Sequence, residues 1–180
     1  MEIAQIGGYF SDLNKLEGPA WGFSPLLGYM TLDELLRNHC FTSGLSEPQI
    51  ASLASLASQA IFEENEVILV DGQRSTAFYL VTSGSVAVEM RTPRYVVCVQ
   101  ALGPGEAFGW SALLDHQDTL FQVRAREHTT ALRLEGEALR KMCRADAPLG
   151  AEILYRTLGL VAGRVKATEI RFAEMCGVRV

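Results

Sequence analysis

The run ALGPGEAFGWSALL, residues 101–114, decides the fold. Its apolar start ends at Leu102, and three turn formers follow, Gly103, Pro104 and Gly105. Phe108 and Gly109 then lead into a short helical turn, Ser111 to Leu114. A strand end, a glycine-framed turn and one short helical turn make a built loop, which continues to Thr119 through Asp115, His116, Gln117 and Asp118.

On both sides of this loop the sequence has the period of strands. EVILV (66–70), AFYLV (77–81), VAVEM (86–90), YVVCVQ (95–100), FQVRA (121–125) and TALRL (130–134) are short and rich in β-branched and aromatic residues. Asp71-Gly72, Ser83-Gly84 and Thr92-Pro93 separate them as turns. Ser83-Gly84 is the length of a hairpin connection between AFYLV and VAVEM. The charge alternation in RAREHTTALRLE (124–135) predicts a strand with one wet face, with Arg124, Arg126 and Arg133 on the surface.

Helices flank the strands. TLDELLRNH (31–39) places Leu32, Leu35 and Leu36 on one side of a short helix. A second helix opens at Ser46, with Gln49 completing a capping box and Pro48 in the first turn. Its apolar positions are Ile50, Leu53, Leu56, Ala57 and Ala60, and strands are expected from Phe62 onward. After EGEALRKMC (135–143), Asp146 caps a final helix running from about Leu149 to Met175. Leu154, Leu158, Val161, Val165, Thr168, Phe172 and Met175 alternate spacings of four and three along it, a heptad seam. Such a seam can lie against the barrel of its own chain, but its regularity favours pairing with the same helix of a second subunit, through Leu154, Leu158, Val161, Val165 and Phe172. Gly159 and Gly163 weaken the helix but permit close approach of a neighbour. The division is an N-terminal extension (1–29), a β-roll (30–146) and a C-terminal dimerisation helix (147–180).

The loop ALGPGEAFGWSALL, together with Gly72 and YLVTSGSVAVE (79–89), resembles the cyclic-nucleotide-binding domain family, from about Leu35 to Met175. The resemblance implies a mainly β fold with flanking helices: an antiparallel β-roll (double-stranded β-helix) followed by a long C-terminal helix. Gly72, Gly84, Gly105 and Gly109 fall where that roll needs its turns. The last helix resembles the dimer helix of the bacterial catabolite activator and its relatives, where Thr168 would match a position that contacts the nucleotide base.

In the family, the cyclic phosphate rests on backbone N–H groups at the start of the short helix and on an Arg from the next strand. A Glu beside the glycine accepts the ribose hydroxyl. The matching positions here are Gly109, Trp110, Ser111, Ala112, Thr119, Leu120 and Thr168, and they depart from the pattern where charge matters. Trp110 replaces the Glu, Thr119-Leu120 replaces the Arg-Ser or Arg-Ala pair, and Asp115 and Asp118 add negative charge. A buried phosphate without a cation is costly. Three readings stay open: a pocket plugged by Trp110, a pocket retuned for an uncharged or aromatic ligand with Trp110 as a stacking platform, or residual nucleotide binding by backbone groups alone. Arg91, Arg94 and Arg126 are the residues left to bring a cation in from elsewhere.

Composition narrows the function. The chain has 180 residues, 48% hydrophobic and 21% charged, as in an ordinary globular domain. Sixteen basic against twenty-one acidic residues give a net charge of −5, which argues against nucleic acid as a partner. No apolar run is long enough for a membrane span, and the acidic N-terminus is no signal peptide. Cys40, Cys98, Cys143 and Cys176 are too scattered for a metal site, and the default location is cytoplasmic. His39, His116 and His128 show no His-x-His pattern, and Ser111 is not in a nucleophile elbow, so neither a metal cofactor nor an enzyme is expected.

The expected function is a regulatory sensor domain with a degenerate phosphate cassette, signalling as a homodimer to a protein partner. A small-molecule ligand of unknown identity is allowed, and no cofactor is implied. The alternatives are a ligand-free interaction or scaffold protein, or a truncated catabolite activator-like transcription regulator binding a non-standard ligand. Catabolite-activator relatives continue past this helix into a DNA-binding unit, whereas this sequence stops at Val180.

Overall fold

Every residue from Ala77 to Val81 is buried, because the strand they form has an apolar layer on each face. The computed structural model describes residues 30–114 and 118–177. The expected extension 1–29 and the loop residues Asp115, His116 and Gln117 lie outside the described residues.

Two four-stranded antiparallel sheets make the roll. The strands are β1 (Ala57–Phe62), β2 (Val67–Leu69), β3 (Ala77–Ser83), β4 (Val86–Arg91), β5 (Val96–Leu102), β6 (Ala107–Phe108), β7 (Gln122–Ala125) and β8 (Thr129–Glu135). One sheet has the order β1-β8-β3-β6 and the other β2-β7-β4-β5. Side chains alternate across β3, as strand geometry requires. Tyr79 and Val81 join Val86, Val88, Leu102 and Phe108 in the roll interior. Phe78 and Leu80 point the other way, into a cluster with Leu36, Ile50, Leu53, Leu139, Leu149 and Ile153 from the helices. These helices are α1 (Leu32–Asn38), α2 (Glu47–Ala54), α3 (Gly136–Ala145) and α4 (Ala147–Met175). The predicted class, an antiparallel β-roll with flanking helices and a long C-terminal helix, is what the chain forms.

Three local expectations are corrected. The second helix stops at Ala54, and Ala57 and Ala60 lie in β1, paired to Leu134 and Ala131 of β8. A few apolar residues at helical spacing could not outweigh a six-residue ladder beside the core. Ser83-Gly84 is not a hairpin, because β3 and β4 belong to different sheets. It carries the chain between the sheets against β8, where a Cβ on Gly84 would stand 2.4 Å from the His128 carbonyl. Nor does β8 have a wet face: it runs between β1 and β3, with Ala131, Leu132 and Leu134 fully buried and Arg133 only half exposed.

The Asp146 carboxylate caps α4 by accepting from the Leu149 N–H at 3.0 Å. Leu149, Ile153 and Thr157 bury one face of the helix, and the Arg156 guanidinium donates to the Phe41 carbonyl at 2.8 Å. The seam residues take the opposite side. Leu154, Leu158, Val165 and Phe172 are each more than half exposed, and Val161 and Thr168 are half-buried.

Candidate functional site

The floor of the site is aromatic. Tyr79 of β3 and Phe108 of β6 stack with ring centroids 4.8 Å apart and planes 11° off parallel, and Phe62 meets Tyr79 edge-on at 5.9 Å. Phe108 runs directly into Gly109, whose φ is +80° and whose hypothetical Cβ would lie 2.5 Å from the Ala77 carbonyl. Only glycine satisfies both constraints. The chain then winds into the short 3-10 turn Trp110–Leu113, with Ser111, Ala112 and Leu113 buried. The Arg140 guanidinium of α3 donates to the Ala112 carbonyl and ties the turn down.

Beside this turn is a cavity of about 390 Å³. Leu69, Val88, Phe121 and Val123 form apolar walls with Phe108, while Trp110 and Ser111 form the turn side. Of the residues expected from the sequence, Gly109, Trp110, Ser111, Thr119 and Leu120 line the cavity. Ala112 is buried behind them. Thr168 does not reach the cavity, and its hydroxyl donates to the Arg164 carbonyl at 2.9 Å. Trp110 is half-buried against the helical core and stands in the cavity wall, so the space beside it is not plugged.

Thr119 is no substitute phosphate donor. Its hydroxyl donates to the Phe121 carbonyl at 2.9 Å and accepts from the Phe121 N–H at 3.2 Å, a closed local turn. The loop is fastened through Thr119 to the segment after β2, by backbone bonds to Gly72 and Gln73. Asp118 lies 3.7 Å from the Arg74 guanidinium, so its charge is offset in a surface pair. Arg124 is turned to the outside, bonding Glu89 and the Asn65 carbonyl. Arg91, Arg94 and Arg126, the cations considered from the sequence, are exposed, and the cavity walls do not include them.

The cation comes instead from α4. Arg164 lines the cavity, its Nη1 is shielded from solvent, and that atom has no hydrogen-bond partner. Burial pulls the guanidinium below its ordinary pKa, and the field of Glu106 opposes this in part. A smaller cavity of about 150 Å³ lies on the other side of the same residue, between β5 and α4. It is walled by Trp110, Gly159 and Gly163, together with Gln100, whose Oε1 is likewise buried without a partner. Sequence reasoning missed Arg164 by following only the seam of the last helix. Ile153, Thr157, Leu160 and Arg164 also repeat at four and three, on the face turned to the roll, and a lone Arg in such a series is the signal.

Comparison with known proteins agrees with the architecture. Residues 60–146 match the family model described as cyclic nucleotide-binding domain. The potassium channel AKT1 of Oryza sativa subsp. indica is 26% identical over 149 residues, 78% of this chain and 16% of the channel. The chain thus spans about a sixth of the length of the potassium channels it matches. Among solved structures, a putative cyclic nucleotide-binding protein from Geobacter metallireducens superposes with a TM-score of 0.66 at 24% identity, covering 76% of this chain and 99% of its own. The regulatory subunit of a cAMP-independent protein kinase A from Trypanosoma brucei gives 0.62 at 22% identity, covering 81% of this chain and 50% of its own. A variant of that subunit with Glu-to-Ala, Thr-to-Arg and Val-to-Ala changes is bound to cAMP in its A site. The roll and its glycine-framed loop agree with the family match, so residues 60–146 have the sequence pattern and the fold of a cyclic nucleotide-binding domain.

Proposed function

We propose that this chain is a regulatory ligand-sensing domain whose cavity does not take cAMP or cGMP in the family's usual manner, and whose output passes through α4. The observation that carries the reading is the cavity itself: about 390 Å³, mostly apolar and aromatic, with Arg164 of the helix and Asp118 of the loop as the charged residues in its wall. Space of this size with a few convergent polar groups is what small-molecule sites provide. The family's ribose acceptor is replaced by Trp110, and the Thr119 hydroxyl is already engaged. In this reading the exposed seam of Leu154, Leu158, Val161, Val165 and Phe172 joins two copies into a cytoplasmic homodimer that acts on a protein partner. The domain regulates and does not catalyse.

Thermal unfolding with cyclic nucleotides tests it. Neither cAMP nor cGMP should raise the Tm, and a rise of several degrees at sub-millimolar nucleotide overturns the reading. The double variant Trp110→Glu, Thr119→Arg should gain nucleotide affinity by calorimetry. A Thr-to-Arg change is among those in the cAMP-bound Trypanosoma variant, which supports the idea that an added cation favours the nucleotide in such a fold.

A further inference from the structure

The polar groups around the cavity are unevenly satisfied. Asp118 has Arg74, Thr119 has the backbone of Phe121, and the Ser111 turn is held from behind by Arg140. Arg164 has nothing comparable: its Nη1 is buried and unpartnered, and among the described residues no carboxylate lies within ion-pair distance of it. Glu106, whose field it feels, is exposed and already accepts from the Gly103 N–H at 2.8 Å. A guanidinium nitrogen held out of water without a partner is unfavourable, and a planar anion that meets the fork removes the penalty.

The rest of the cavity describes the body of the ligand. Phe108, Trp110 and Phe121 supply flat aromatic surface, and Leu69, Val88 and Val123 close it off from polar contacts. At water's liquid share of about 30 Å³ per molecule, the space holds roughly a dozen non-hydrogen atoms. Gln100 lines the smaller cavity beside Arg164, but its Oε1 is likewise buried without a partner, so it does not satisfy the guanidinium.

We propose that Arg164 is the anion-holding residue of this cavity, and that its ligand is a small aromatic monoanion: a carboxylate on a flat apolar body. The proposal rests on the reading of the cavity as a ligand site. The carboxylate pairs with the Arg164 fork, and the ring lies among Phe108, Trp110 and Phe121. Because Arg164 belongs to α4 and the aromatic wall belongs to the roll, one ligand bridges the two.

Indole-3-acetate and its neutral counterpart indole-3-acetamide test this by calorimetry on the full chain. The acid should bind at least tenfold more tightly than the amide. Arg164→Met should erase that preference while leaving the amide's affinity in place, and Arg164→Lys should keep part of it through a point charge. Equal binding of acid and amide, or a preference that survives Arg164→Met, overturns the role of Arg164 while the cavity remains a ligand site. Binding of neither probe at millimolar concentration overturns the ligand class. Sub-millimolar cAMP binding that vanishes in Arg164→Met also overturns it, showing that the anion held is a cyclic phosphate.

Discussion

Replacing Arg164 with methionine should make the ligand-free protein more stable. The buried Nη1 has no partner, and leaving such a group unsatisfied costs about 1–3 kcal/mol. Methionine keeps an unbranched apolar stem that fills similar space along the cavity wall, and its helix propensity is close to that of arginine. The substitution therefore removes the penalty with little loss of packing. For a chain of this size each kcal/mol moves the midpoint by about 2–4 °C, so the Tm should rise by roughly 2–12 °C. Calorimetric melting of purified protein without added ligand reads this directly. Arg164→Lys retains a charge in the same place and should give no comparable gain. A fall of 2 °C or more in Arg164→Met would show that the guanidinium has a stabilising partner and would refute the argument. Proteins tolerate such destabilising groups where binding needs them, so a gain in stability at this position is itself a mark of a site.

Gly109→Ala should destabilise the fold by about 2–4 kcal/mol in urea unfolding, from the left-handed φ and from overpacking against the Ala77 carbonyl; a loss below about 0.5 kcal/mol would contradict the geometry. Val161→Glu combined with Val165→Glu should give a folded monomer in sedimentation velocity, and an unchanged mass would refute the seam. His39 is buried, with Nε2 against the Val81 carbonyl at 3.1 Å and Nδ1 accepting from the Phe41 N–H, and burial lowers its pKa. Below the unfolded value near 6.5 the unfolded chain therefore binds the extra proton first, and stability falls as pH falls, by at most about 1.4 kcal/mol per unit. His39→Gln should flatten this part of the stability profile, and an unaltered slope between pH 6.5 and 5 would count against it.

How much of this was legible in the sequence differs between fold and site. The loop of residues 101–114 carried the roll because its constraints are local: Gly109 must adopt a positive φ beside β3, and no other residue fits. The long helix was legible for the same reason, its cap and its seam being written in consecutive residues. What failed was pairing at a distance. Ala57 and Ala60 have helical spacing but a strand partner more than seventy residues away, and Ser83-Gly84 has hairpin length but joins two sheets. The site failed in the same manner. The sequence reading followed only the charges within the loop, whereas Asp118 finds Arg74 and the cavity finds Arg164, neither of them its sequence neighbour. Of sixteen basic residues, the one at the cavity was marked only by its place in the series Ile153, Thr157, Leu160, Arg164, on the face of the last helix turned to the roll.

The two faces of α4 explain why the position of Arg164 matters. The first half of the helix is pinned: Leu149 and Ile153 are fully buried, Thr157 nearly so, and Arg156 bonds the Phe41 carbonyl. Past Thr157 the grip loosens, with Leu160 and Arg164 only half-buried and no residue from Leu158 to Met175 fully covered. A ligand can shift a conformation only through interactions that differ between its states. An anion paired to Arg164 acts on the loosely held half, where a contact to the roll is worth most. The exposed seam residues Val165 and Phe172 ride on that same half, facing away from the roll. Tightening the helix against the cavity would therefore reorient the seam, so that a contact on one face of α4 is read on the other.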